Sequence, residues 1–132
     1  MNTSDFVRFT RTSPFLDLIG PLLTRNGPGG SEFALAIDKR HVNARGTVHG
    51  GILSSLADVA LGYAAATSVD PPASLVTASL SIDFVGAASP GDTVVALVDV
   101  QRVGRRLAFA NCHLSVDRQR IARASAVFLN AT

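Results

Sequence analysis

The chain has 132 residues, a length for one core, with 47% hydrophobic and only 17% charged residues. A net charge of +2 excludes a general nucleic-acid binder, a single cysteine excludes an intrachain disulfide, and this composition excludes wholesale disorder. So little charge on so short a chain points to surface hidden in an oligomer.

Residues 1–12 are polar with scattered aromatics and no apolar signal region, so they read as a lead-in. Ser13 caps and Pro14 opens a short helix with Phe15, Leu16, Leu18 and Ile19, stopped at Gly20-Pro21. Asn26 to Gly30 is a turn, because its glycine spacing fits no phosphate-binding pattern. These segments make residues 1–29 a lead-in with one short helix and 30–132 a single domain. Glu32 to Asp38 alternates as a strand, with Phe33, Leu35 and Ile37 on one face. His41 to His49 connects it to a helix running from Gly50 to about Ser68, which Asp70-Pro71-Pro72 ends.

Four strand-like runs follow. Val76, Ala78, Leu80, Ile82 and Phe84 alternate with Thr77, Ser79, Ser81 and Asp83. Parity then places Thr77 on the polar face, away from Leu80 and Ile82. Pro90-Gly91-Asp92 turns the chain into Thr93 to Val103, apolar enough to be buried on both faces. Gly104 turns it into Leu107 to Val116, and Asp117 to Arg120 into Ile121 to Leu129. Strand, long helix and four-strand meander together make an α+β domain.

The helix is the most informative segment. At 100° per residue, Ile52, Leu53, Leu56, Val59, Ala60 and Tyr63 share one stripe that packs on the sheet. Asp58 lies almost opposite, among Ser54, Ser55, Leu61, Gly62 and Ala65. A second face this small and apolar is one that another subunit covers. A charge at the centre of a membrane span costs ~2.5–3.5 kcal/mol, so Asp58 argues against a span from Gly51 to Val69 and for a cytoplasmic protein. A lone carboxylate on a covered face is costly unless hydrogen-bonded or functional. His49-Gly50-Gly51 stands at the helix N-terminus, where free N–H groups and the positive dipole end can receive an oxyanion.

Elimination points the same way. The chain has no Gly-x-Ser-x-Gly elbow. Cys112 and His113 are adjacent on a strand and point to opposite faces, and Cys112 reads as core. His41, His49 and His113 lack metal-ligand spacing, so no metal site is expected. Asp58 is the best candidate base. From Gln101 to Arg123, six arginines stand against the single acid Asp117, a local surplus suited to phosphate.

Asn43-Ala44-Arg45-Gly46-Thr47-Val48-His49-Gly50-Gly51, followed by Leu56-Ala57-Asp58, resembles the hotdog-fold thioesterase superfamily, in its phenylacetate-pathway (PaaI-like) type. The likeness extends to Thr77–Phe84, Pro90-Gly91-Asp92 and Arg102-Val103-Gly104-Arg105, and covers about residues 30–130. The resemblance implies a long central helix wrapped by an antiparallel sheet, and acyl-CoA thioester hydrolysis. It implies Asp58 as base or nucleophile, and the Gly50 N–H as the group polarising the carbonyl. Asn43 helps hold the carbonyl or the water, His49 orients the neighbourhood, and Thr77 positions the nucleophile across a subunit boundary. Gly51, Ser79 and Phe84 fall in the substrate-binding region, and Arg102, Arg105 and Arg106 match where relatives hold coenzyme A phosphates. Coenzyme A is part of the substrate, and no separate cofactor is implied. The assembly implied is a homodimer with interfacial sites, paired into a dimer of dimers. Two other readings compete: a non-catalytic acyl-CoA-binding module, and a hydratase, which the missing acid–histidine pattern disfavours.

Overall fold

A computed structural model of the chain describes residues 5–132. Its elements are β1 (Val7–Arg8), α1 (Pro14–Ile19), β2 (Leu23–Gly27), β3 (Gly30–Ala36), α2 (Gly50–Thr67), β4 (Leu75–Phe84), β5 (Thr93–Val103), β6 (Leu107–Val116) and β7 (Gln119–Asn130). The strands form one antiparallel sheet in the order β1-β2-β3-β5-β6-β7-β4. The helix α2 packs against β3 through β7. This is the expected α+β arrangement, a long helix wrapped by an antiparallel sheet. Among the described residues, no helix is long and apolar enough to cross a membrane.

The expected four-strand meander is three strands, β5 to β7: the crossover from α2 sends β4 to the far edge, where it pairs with β7 and not with β5, so one side of β4 is left unpaired. Its side chains are exposed or half-buried throughout, Val76 and Phe84 being about half exposed. An open edge of ten residues is a ready template for another strand.

Residues 1–4 of the lead-in lie outside the described residues. The short helix forms as the sequence implies: the Ser13 side chain accepts the Leu16 N–H, with Pro14 at the first turn. Two strands were not anticipated. The turn at Asn26–Gly30 is the loop of a β2–β3 hairpin, in register Asn26↔Ser31 and Gly27↔Gly30. Gly30 has φ +134, and a Cβ there would come within 2.6 Å of the Val98 carbonyl oxygen, so the hairpin needs glycine.

Strand β5 departs from expectation. Both faces are buried only over Val94–Ala96, where Phe6 and Leu23 cover Val95 from outside. Beyond that cover, Leu97, Asp99 and Gln101 are exposed.

The packing face of α2 is also rotated from the predicted stripe, by roughly 90° at 3.6 residues per turn. The buried residues are Leu53, Leu56, Ala57, Ala60, Leu61, Ala64 and Ala65. The alanines let the sheet approach the helix closely, and that leaves the bulkier Val59 and Tyr63 on the flank. Leu61 and Ala65, assigned above to the second face, belong to the core. Asp58 is accordingly half-buried on a flank, beside the edge strand rather than opposite the sheet.

The start of α2 is held by a fully buried histidine. His41 accepts the Asp38 N–H at Nδ1 (2.9 Å) and donates from Nε2 to the Ile19 carbonyl (2.7 Å). Its own carbonyl accepts the His49 N–H at 2.7 Å. One residue therefore joins the end of α1, the turn after β3 and the entry to α2.

Candidate active site

The site begins with a β-bulge. Strand β4 pairs with β7 in regular register except between Thr77 and Ser79, where Ala78 has no partner. Thr77 pairs with Phe128 and Leu80 with Ala126, and both partners are buried on the helix side. Thr77 therefore shares the face of Leu80 and Ile82. Simple alternation placed it on the other face, and the extra residue is what reverses the parity.

The reversal aims Thr77 at the helix. Its Oγ1 donates to Asp58 Oδ1 at 2.7 Å within the same chain. The expectation that these two residues meet across a subunit boundary is thus corrected. Oδ2 of Asp58 takes no hydrogen bond from any described residue. Both residues line a cavity of about 430 Å³ with Val59, Gly62, Phe33 and Phe128.

The second feature is the helix start. A helix has four N–H groups without intrahelical partners. The Ile52 and Leu53 N–H groups reach the His49 carbonyl at 2.9 and 3.3 Å, and the Gly51 N–H reaches His49 Nδ1 at 2.8 Å. That leaves the Gly50 N–H. The Phe84 ring packs beside the Cα of this glycine: a Cβ on Gly50 would meet Phe84 Cζ at 3.2 Å. His49 thus acts as the N-cap, with its ring proton on Nε2. The Gly51 N–H is already engaged.

Asn43 organises the connection before the helix. Its Oδ1 accepts the Arg45 and Thr47 N–H groups at 2.9 and 3.2 Å, and its amide donates to Thr47 Oγ1 at 3.1 Å. The Val48 N–H is held by the Ala88 carbonyl at 2.8 Å. These bonds fix the path of residues 43–48 into His49.

The remaining candidates lie apart from Asp58 within one chain. Ser79 pairs with Val127 on the opposite face of the sheet from the helix. Arg102, Arg105 and Arg106 are exposed on and beside the β5–β6 hairpin, whose Arg106 carbonyl accepts the Asn130 N–H. They do not line the Asp58 cavity. Among the described residues, no group of three His, Cys, Asp or Glu could hold a metal ion. The sequence singled out neither Phe9, Tyr63 and Phe128 as cavity walls nor His41 as an anchor.

Cys112 is buried, and desolvation pushes its thiol up to about 12 against a weaker opposing hydrogen bond from the Ala124 backbone. In native protein at about pH 8, the thiol is expected to stay unreactive toward a thiol dye and to titrate only after denaturation. Prompt reaction of the folded protein would contradict this. His113 is held below the usual histidine value by partial burial and then by Arg120 and Arg123, remote from Asp58.

A model of the thioesterase superfamily matches residues 45–122. The esterase candidate PA0474 of Pseudomonas aeruginosa is 46% identical over 119 residues, 89% of each chain. Human acyl-coenzyme A thioesterase 13 is 27% identical over 107 residues, 80% of this chain and 76% of its own. Among solved structures, a mutant of the phenylacetic acid degradation protein PaaI from Thermus thermophilus is similar with a TM-score of 0.74. It is 27% identical, and the match covers 89% of this chain and 99% of that one.

Proposed function

This chain belongs to the thioesterase superfamily, and from that premise we propose that it hydrolyses acyl-coenzyme A thioesters at a site built around Asp58. The observation that carries the reading is the Asp58 carboxylate, held by Thr77 with one oxygen free, on the wall of a cavity lined by both apolar and polar side chains. The likeness to acyl-coenzyme A thioesterase 13 supports coenzyme A as the thiol.

In the reaction, Asp58 Oδ2 takes a proton from water as the water oxygen bonds to the thioester carbonyl carbon. The carbonyl electron pair moves onto oxygen, where the Gly50 N–H and the positive end of α2 receive it. Collapse of the intermediate breaks the C–S bond, and the departing sulfur takes the proton from Asp58. The products are a carboxylic acid and the coenzyme A thiol, and Asp58 is restored. Attack by Asp58 itself would instead give an anhydride that water then cleaves. A single turnover in isotopically labelled water tests for the second route, since label in the Asp58 carboxylate arises only when water cleaves such an anhydride at the Asp58 carbonyl.

Two copies are needed. Asp58 lies eight residues after Gly50, about 12 Å along the helix at 1.5 Å per residue. The Gly50 N–H points away from Asp58, toward the helix N-terminus, so an oxygen bound there lies ~3 Å farther still. One carbonyl cannot meet both groups of one chain. Antiparallel pairing of two β4 edges about a two-fold axis near Leu80 would bring the Phe84–Gly50 corner of one copy to Thr77 and Asp58 of the other. The open β4 edge supports this homodimer.

Thiol release across a panel of acyl-CoA thioesters tests the proposal. Turnover is the expected result, and binding without turnover would favour the acyl-CoA-binding module instead. The basic hairpin gives a separate expectation. If Arg102 meets only the coenzyme A phosphates, its interaction is the same in ground and transition states, so Arg102→Ala raises KM and leaves kcat within a few-fold. Because Arg102 is exposed, the rise is up to about tenfold, below the full value of a charge-assisted hydrogen bond. An equal loss on a truncated thioester lacking the nucleotide would show that the arginine acts through the fold.

A further inference from the structure

We propose that Arg11 sets acyl specificity, selecting acyl groups that carry a carboxylate at the end remote from the thioester. The inference rests on the hydrolytic reading above and concerns the far end of the same cavity.

The cavity that holds Asp58 and Thr77 continues along the flank of α2 between aromatic rings. Phe9, from the lead-in, packs edge-on against Phe33 at 5.3 Å and against Tyr63 at 4.9 Å between ring centroids. Arg11 places its guanidinium 5.5 Å from the Tyr63 ring centroid. Tyr63 is five residues beyond Asp58, about 7.5 Å along the helix axis. The cavity mixes polar residues such as Thr24, Asn26 and Ser31 with four aromatic rings, those of Phe9, Phe33, Tyr63 and Phe128, and the rings offer faces for a flat body such as a benzene ring.

Charge identifies what should lie at the far end. Asp58 and Arg11 are the only charged residues among those that line the cavity. No ion pair among the described residues involves Arg11, and it is the arginine that lines this cavity. A guanidinium stacked on a ring keeps its edge N–H groups free, and that edge matches a carboxylate with two parallel hydrogen bonds. The opposite charges also fix the orientation of such a substrate. A remote carboxylate would be repelled at the Asp58 end and attracted at the Arg11 end.

The test compares two coenzyme A thioesters of equal size, 4-carboxybenzoyl and 4-carbamoylbenzoyl, which differ in charge at the remote group. Wild-type protein should show the higher kcat/KM for the carboxylated substrate. In Arg11→Gln the ratio of the two values should fall by about fivefold or more, the order of one partly exposed charged contact. Arg11→Lys should restore part of the ratio. An unchanged ratio in Arg11→Gln, or the lack of a wild-type preference, overturns the proposal. Calorimetric titration with non-hydrolysable amide analogues of the two coenzyme A substrates, in which nitrogen replaces the thioester sulfur, separates this failure from failure of the hydrolytic reading. Tighter binding of the carboxylated analogue, lost in Arg11→Gln, supports the pocket even if neither thioester turns over. Equal binding of both analogues to wild-type protein, with no turnover, overturns it.

Discussion

Asp58→Asn lowers kcat by about 10²–10⁴-fold, the usual cost of losing a general base, while the protein stays folded. Asparagine is the informative replacement because its amide oxygen can still accept the Thr77 hydroxyl, which donates to Asp58 Oδ1 at 2.7 Å. The geometry of the pair survives and only the basic oxygen is lost. No ion pair among the described residues involves Asp58, so the thermal midpoint should move little. Steady-state kinetics alongside a melting curve check both halves. A kcat within a few-fold of the parent would remove Asp58 from the chemistry, and a large drop in melting temperature would make the carboxylate structural.

Asp58 could be found from sequence because an isolated charge within an apolar helix is conspicuous. Its partner could be named but not oriented. Thr77 follows from the resemblance, yet alternation sends it to the wrong face of β4. The bulge at Ala78 leaves no mark in the sequence: alanine is small and common, and no glycine or proline announces the extra residue. The error propagated, since a Thr77 facing away from its own helix could meet Asp58 only in another copy. In the homodimer proposed above, this hydrogen bond moves the subunit boundary to the other side of the reaction, between Asp58 and Gly50.

The fold was legible where the pattern was strong. The long helix, the meander from β5 to β7 and the capped start of α1 follow from periodicity, Ser13 and Pro14. The lead-in strands were not, because β1 has two residues and β2 five, too few to show alternation. The rotation of α2 was missed for a packing reason. Hydrophobic size favours Ile52, Val59 and Tyr63 for the core, but a sheet that wraps a helix closely selects alanine. Of the displaced side chains, Val59 and Tyr63 help to line the cavity, with Phe9 supplied by a segment that has no recognisable motif.

Gly50→Pro isolates the other half of the reaction. Proline lacks the N–H that is proposed to receive the oxyanion, and the first turn of a helix is where proline is tolerated. The backbone already suits it. Gly50 is outside the left-handed region, and His49 before it is extended, with φ −69 and ψ 134, as a residue preceding proline prefers. The added carbons meet the half-exposed Phe84 ring, so Gly50→Ala, which keeps the N–H and makes the same contact, is the control. Gly50→Pro is expected to lose about 10²–10³-fold in kcat, the range for one oxyanion donor, and Gly50→Ala far less. Equal losses would assign the effect to Phe84. Mixing Gly50→Pro with Asp58→Asn then tests where the site lies. In a mixed dimer, the Asp58 of one copy faces the Gly50 of the other, so one of the two sites is intact. Random exchange at equal amounts makes half the dimers mixed, and activity should return to about a quarter of the parent value. Neither variant can supply both groups alone. If the mixture stays as inactive as its components after subunit exchange has been verified, Asp58 and Gly50 do not act on one carbonyl across two copies.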